Sequence, residues 1–121
     1  MFKSVGWTMA ALVVATYPAF AEEIRCGWLD NPTPANWFLV DRDEDWLISA
    51  QGGFQAEGLD RIPDLTEGEF VAIRASYGYA CACMTVITDP KEGKILSIQD
   101  LTQLPLRQCQ EDPALPQREP G

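Results

Sequence analysis

The sequence has no histidine in 121 residues. That absence removes mechanisms built on an imidazole base, a Ser-His or Cys-His pair, or a histidine metal ligand. Positive charge is scarce as well: nine Lys and Arg stand against 18 Asp and Glu, a net charge of −9. Such a chain lacks the basic face that nucleic acid binding requires. No apolar run reaches the roughly 20 residues that a membrane-spanning helix needs. No segment sustains apolar residues at i, i+3, i+4 and i+7, so helices are not the framework. No internal repeat is evident, and 121 residues hold one domain at most.

What is present begins with an address. Lys3 opens a short positive region, and Val5 to Ala15 is apolar. Pro18-Ala19-Phe20-Ala21 then offers Ala at both small-residue positions of an A-x-A cleavage site. Residues 1–21 therefore read as a signal peptide, and the mature chain is expected to start at Glu22. Cys26 lies too far past Ala21 to be a lipid-modified residue at the cut. Setting Lys3 aside leaves eight basic residues against 18 acids, a mature net charge of −10. A periplasmic or secreted protein is expected, with no membrane span after cleavage.

All four cysteines, Cys26, Cys81, Cys83 and Cys109, lie in the mature part. An even count in a small exported chain reads as a disulfide framework. On a strand, Cys81 and Cys83 share a face at about 6.6–6.8 Å between Cα atoms, with parallel Cβ vectors. A bond between them would be strained, so both are expected to pair outward, one with Cys26 and one with Cys109, in either combination. The alternative is chemical: a labile C-x-C redox pair, or a soft Cu(I) site from Cys81, Cys83 and Met84. Neither a C-x-x-C motif nor paired zinc spacing is present. No cofactor and no metal are expected.

Along the chain, Trp37-Phe38-Leu39-Val40 and Trp46-Leu47-Ile48-Ser49-Ala50 flank a polar cluster and predict a β-hairpin. Asn31-Pro32-Thr33-Pro34, the glycines at 52, 53 and 58, and residues 60–68 predict loops. Phe70–Arg74, Ala80–Thr88 and Lys94–Gln99 predict strands, the last two joined by a turn at Asp89-Pro90-Lys91-Glu92-Gly93. Both faces of 80–88 are small or apolar, as in a strand covered on both sides. Leu104 to Cys109 is expected to be extended because of Pro105. Residues 111–121, with three prolines and no periodicity, read as a disordered tail. The expectation is a mainly β domain over 22–110: an antiparallel barrel or sandwich of about six short strands, tied by disulfides.

Candidate sites are few. Asp41-Arg42-Asp43-Glu44-Asp45 opens like a calcium loop but has Trp46 for the required Gly and Gly52 for the closing Glu. It reads as a solvated hairpin tip. Paired carboxylates there are poorly placed for glycoside hydrolysis, which needs a buried acid. Trp28, Trp37 and Trp46 read as core. Gln51, Gly52, Gly53, Phe54 and Gln55 form a polar, Gly-rich stretch with one aromatic, and with Tyr77 and Tyr79 they are the candidate binding residues.

The chain resembles a family of bacterial exported domains of unknown function, number 4087. The resemblance rests on Arg25-Cys26-Gly27-Trp28, Asn31-Pro32-Thr33-Pro34, Asp41-Arg42-Asp43 with Trp46, and Gln51-Gly52-Gly53. It continues through Ala56-Glu57-Gly58, Tyr77-Gly78-Tyr79-Ala80-Cys81-Ala82-Cys83, and Leu104-Pro105-Leu106 with Cys109, covering about residues 25–110. It implies an exported, cysteine-containing domain and carries no substrate or catalytic residue. Asp43-Glu44-Asp45 replaces the family's Asp-Gly turn, which changes the turn type and leaves the fold expectation intact.

Together these readings predict a non-enzymatic, monomeric binding protein. Its acidity suits a cationic partner, such as an envelope-targeting lysozyme that it would bind or inhibit. A thiol–disulfide or copper-handling protein and a cell-wall carbohydrate binder are the alternatives.

Overall fold

The computed structural model describes residues 21–118. The expected leader therefore lies outside the described residues, apart from Ala21. Six strands dominate: β1 (Glu22–Thr33), β2 (Asn36–Val40), β3 (Asp45–Ser49), β4 (Val71–Arg74), β5 (Tyr77–Asp89) and β6 (Lys94–Leu104). Two 3-10 turns (Leu59–Arg61 and Leu65–Glu67) lie between β3 and β4, and a short α-helix, α1 (Leu106–Gln110), follows β6. The expected hairpin is β2–β3, and the Asp89–Gly93 turn joins β5 to β6.

The sheet closes on itself. β1 pairs antiparallel with β2 on one edge and with β5 on the other, from Glu22 opposite Ile87 to Asn31 opposite Gly78. β5 pairs with β6, and β6 meets β3. The ring runs β1-β2-β3-β6-β5 and back to β1, with β4 added outside it on the start of β5. Of barrel and sandwich, the chain forms a barrel, five-stranded and partly open in the Greek-key manner.

One seam corrects the all-antiparallel expectation: β3 and β6 are parallel, with Leu47 opposite Lys94. A ring with an odd number of strands cannot alternate direction all the way round, so one parallel neighbour is unavoidable. This seam is short, and residues 54–57 fill the rest of it. Ala56 N–H donates to the Ile48 carbonyl at 2.9 Å, and Glu57 bridges to Leu96 and Ile98 at 3.0 and 2.8 Å.

Alternation along the strands sorts residues into two clusters. The barrel interior holds Leu29, Leu39, Trp46, Ile48, Ala80, Ala82, Met84, Val86, Ile95 and Ile98. Ala80 and Ala82 leave room in a lumen that five strands make narrow. Burying each large apolar side chain there stabilises the fold by roughly 1.5–3 kcal/mol. Close strand contacts explain two glycines: a Cβ on Gly27 would run into the Val40 carbonyl, and one on Gly78 into the Val71 carbonyl.

The second cluster lies outside the barrel wall: Trp28, Val40, Tyr79, Cys81, Cys109 and Leu115, with Leu104 and Leu106 against them. Trp28 and Tyr79 meet edge to face at 5.2 Å between ring centres. The C-terminal segment covers this face and corrects two expectations. Residues 106–110 are helical rather than extended, because Pro105 (φ −56°) precedes the first turn, where a missing N–H costs nothing. The tail expected to be disordered over 111–121 is, over 111–118, laid on the barrel: Leu115 is buried and the Pro116 carbonyl accepts from Trp28 Nε1 at 3.0 Å. Residues 119–121 lie outside the described residues. One disulfide and one leucine anchor this strap, and neither produces a periodic signature.

Both inner cysteines pair outward, as expected. Cys26–Cys83 links directly opposed residues of β1 and β5 across 57 positions, and Cys81–Cys109 ties β5 to α1 across 28.

Candidate functional site

The residues singled out by sequence do not form one site. Gln51, Gly52, Gly53 and Gln55 are exposed on the turn after β3, held by Gly53 N–H to the Ala50 carbonyl at 3.0 Å. Phe54 is half-buried against the interior cluster, with Lys94 Nζ 4.9 Å from its ring centre. Tyr77 is half-buried at the start of β5, and Tyr79 is buried beneath the C-terminal strap. Cys26, Cys81, Cys83 and Cys109 are all bridged, leaving no free thiol. Met84 belongs to the interior cluster, while Cys81 belongs to the outer one. The three soft ligands of a copper site are therefore not assembled in the bridged chain.

Two charged centres emerge that the sequence did not announce. The first caps one end of the barrel. Arg25 lies over the Trp46 ring at 4.4 Å and reaches three carboxylates: Asp41 at 2.8 Å, Asp43 at 3.0 Å and Glu23 at 3.1 Å. Asp41 was expected on a solvated tip, but only 2% of its side chain is exposed. Its Oδ1 accepts from the backbone N–H of Asp43 and Glu44 at 2.8 and 2.9 Å, which folds the hairpin tip around it. Burial pushes the Asp41 carboxyl up. The Arg25 guanidinium, those two N–H groups and the Trp46 indole outweigh it and hold the carboxyl below its ordinary value. The Thr88 hydroxyl donates to Glu23 and is the main cause of that carboxyl's lowering. Arg25 loses its charge less readily than a free arginine: burial disfavours the charged form, and its three carboxylate partners outweigh that.

The second centre sits on the outer wall, toward the opposite end of β1. Arg118 makes a two-pronged ion pair with Asp30, at 2.5 and 2.8 Å. Its guanidinium lies 4.9 Å from the Tyr79 ring centre and 5.5 Å from that of Trp28. Burial pushes the Asp30 carboxyl above its usual range, against the pull of Arg118. A hollow of about 260 Å³ opens beside it, lined by Asp30, Pro32, Ile73, Gly78, Tyr79 and Arg118. Ile73 is one of the two large exposed hydrophobics of the described residues.

The remaining charge is concentrated in the connection between β3 and β4. Glu57, Asp60, Asp64, Glu67 and Glu69 are all exposed there, against a single cation, Arg61, which is engaged with the Gln99 carbonyl at 2.6 Å. Among the described residues, no group of three or more Cys, Asp or Glu is placed to hold a metal ion. Among the same residues, no helix is long and apolar enough to cross a membrane.

Barrel, bridges and charged centres define an acidic, disulfide-tied β-barrel domain. Residues 20–116 match the family described as protein of unknown function DUF4087, and the chain belongs to that family. No curated protein and no solved structure matches it.

Proposed function

We propose that this protein is an exported, non-enzymatic, monomeric binding domain that engages a cationic protein, an envelope-targeting enzyme of the lysozyme kind being the first to test. The observation that carries this reading is the acidic connection between β3 and β4. Five exposed carboxylates with one engaged cation make a surface that accelerates encounter with a basic partner. Two bridges and no free thiol suit an oxidising compartment. The chain also lacks the imidazole that most acid–base mechanisms use at neutral pH.

The architecture is shared with barrels that bind oligonucleotides and oligosaccharides, but fold alone does not choose a ligand. A net charge of −9 disfavours a phosphate backbone. Burial of Trp28 and Trp46, at 0% and 3% exposure, takes away two of the aromatic platforms a glycan binder would use.

The test is capture of lysozyme and a panel of other basic proteins on the immobilised protein, at low salt and at about 0.5 M salt. Capture at low salt that high salt releases is expected. Neutralising the side chains of Glu57, Asp60 and Glu67 together, with the backbone bonds of Glu57 to Leu96 and Ile98 kept, should slow association about tenfold. A protein that retains none of the panel in a salt-sensitive way overturns the reading.

A further inference from the structure

The Asp30–Arg118 centre has the composition of a receptor rather than of a simple strut. A guanidinium is held edge-on by both oxygens of one carboxylate and flanked by two aromatic rings, Tyr79 at 4.9 Å and Trp28 at 5.5 Å. Paired oxygens match the guanidinium fork, and the rings favour its flat, weakly hydrated faces. An ammonium satisfies neither requirement as well. The guanidinium here comes from the chain's own strap. Its last covalent anchor is Cys109 and its last buried side chain is Leu115, so Arg118 is held only by contacts that can exchange. The Trp28 indole N–H to Pro116 carbonyl bond, at 3.0 Å, belongs to the same latch. Asp30 and Arg118 keep 19% and 22% of their side chains exposed, so a competitor can reach the pair. The adjoining hollow, with the exposed Pro32 and Ile73 in its lining, offers apolar room for the residue next to an incoming arginine.

We infer that Trp28, Tyr79 and Asp30 form an arginine-binding cradle, occupied in the resting protein by Arg118 and taken over by an arginine side chain of a cationic protein partner. This rests on the preceding reading for the nature of the partner and adds where that partner docks. The cradle lies where β1 and β5 leave the barrel, and Asp64 and Thr66 of the acidic connection border Asn31, the neighbour of Asp30. Asp64, one of the carboxylates that draw a basic partner in, therefore lies beside the strand residue next to the cradle's Asp30. Self-occupancy multiplies apparent affinity by the fraction of time that the cradle is open, so Arg118 weakens every incoming arginine by that same factor.

The experiment titrates the full chain with a blocked Gly-Arg-Gly peptide and with its Gly-Lys-Gly counterpart, read by calorimetry and by tryptophan emission. The variant Arg118→Ala should bind the arginine peptide about fivefold more tightly than the unsubstituted chain, and the arginine peptide more tightly than the lysine one. Asp30→Asn added to Arg118→Ala should erase the gain. Equal binding with and without Arg118, or a gain that survives Asp30→Asn, overturns the proposal. If Arg118→Ala does not fold, the unsubstituted chain supplies the measurement: saturating arginine peptide must move the NMR signal of the Trp28 indole N–H, and an unmoved signal overturns it. Loss of this cradle leaves salt-sensitive capture of lysozyme standing. Loss of that capture with the cradle intact removes the partner class and keeps the arginine site.

Discussion

The barrel interior and the strap-covered outer face bury similar kinds of residue by different means. The interior is enclosed by strand pairing on all sides and sealed by residues 54–57, so its leucines, isoleucines and Trp46 have no route to water. No sulfur bridge crosses it. The outer face is a flat wall that strand pairing cannot cover. Trp28 and Tyr79 are dry only because residues 105–118 lie over them, and that cover is fixed by Cys81–Cys109, Leu115 and the Arg118–Asp30 pair. Closed topology protects one core, and a tether protects the other. Tethered cover is the more exchangeable, and it is where a cradle for a foreign side chain can be opened without unfolding the domain.

This contrast can be broken from either side. The largest effect is expected from Cys26→Ser with Cys83→Ser, which frees the β1–β5 junction; loop-closure entropy puts the loss at about 4 kcal/mol, seen as a lower midpoint in urea. Removing Cys81–Cys109 in the same way should cost about 3–4 kcal/mol and act locally. Trp28 emission should shift to the red in buffer, while far-UV dichroism of the barrel persists. Simultaneous loss of both signals would show that the two cores are one cooperative unit. Third, Asp41→Ala takes from Arg25 its buried partner, leaves it Glu23 and Asp43, and should cost about 2 kcal/mol, without changing Trp28 emission.

Acid sharpens the comparison further. Asp41 has a lowered carboxyl pKa in the fold, so its contribution to stability is full above the ordinary carboxylate value and is lost as pH falls through the depressed one. Asp30 runs the other way: its raised value means that the fold takes up a proton there more readily than the unfolded chain, so protonation weakens the Arg118 pair without itself opposing folding. Acid alone should therefore leave the strap end seated, with Trp28 emission unchanged until the barrel itself unfolds. A Trp28 transition at a pH above that of barrel unfolding would contradict this. The smallest effect is expected from Arg118→Ala, about 1 kcal/mol, since the pair is partly exposed.

The local signals in the sequence reached the local structure. Alternating apolar runs located the β2–β3 hairpin and β5, Asp-Pro and Gly marked the turn before β6, and the parallel Cβ vectors of Cys81 and Cys83 sent both bridges outward. β1 was illegible because Gly27 and Asn31-Pro32 interrupt it; those residues answer to close approach and a tight turn, not to strand propensity. Asp41 read as solvent-facing because its partner Arg25 is 16 positions away on another strand. Asp30 and Arg118 are separated by 88 positions, and nothing in either neighbourhood marks the pair. The strap was missed for the same reason: its order comes from what it lands on.

The two bridges interleave, since Cys81 lies inside the span of Cys26–Cys83 and Cys83 lies inside that of Cys81–Cys109. A chain made amino end first offers Cys81 to Cys26 before the native partner Cys83 appears. Indiscriminate oxidation at that stage thus creates a wrong link, and reshuffling by thiol attack must undo it. Oxidative refolding of this small barrel should accordingly be faster with a thiol that reshuffles disulfides than with an oxidant alone.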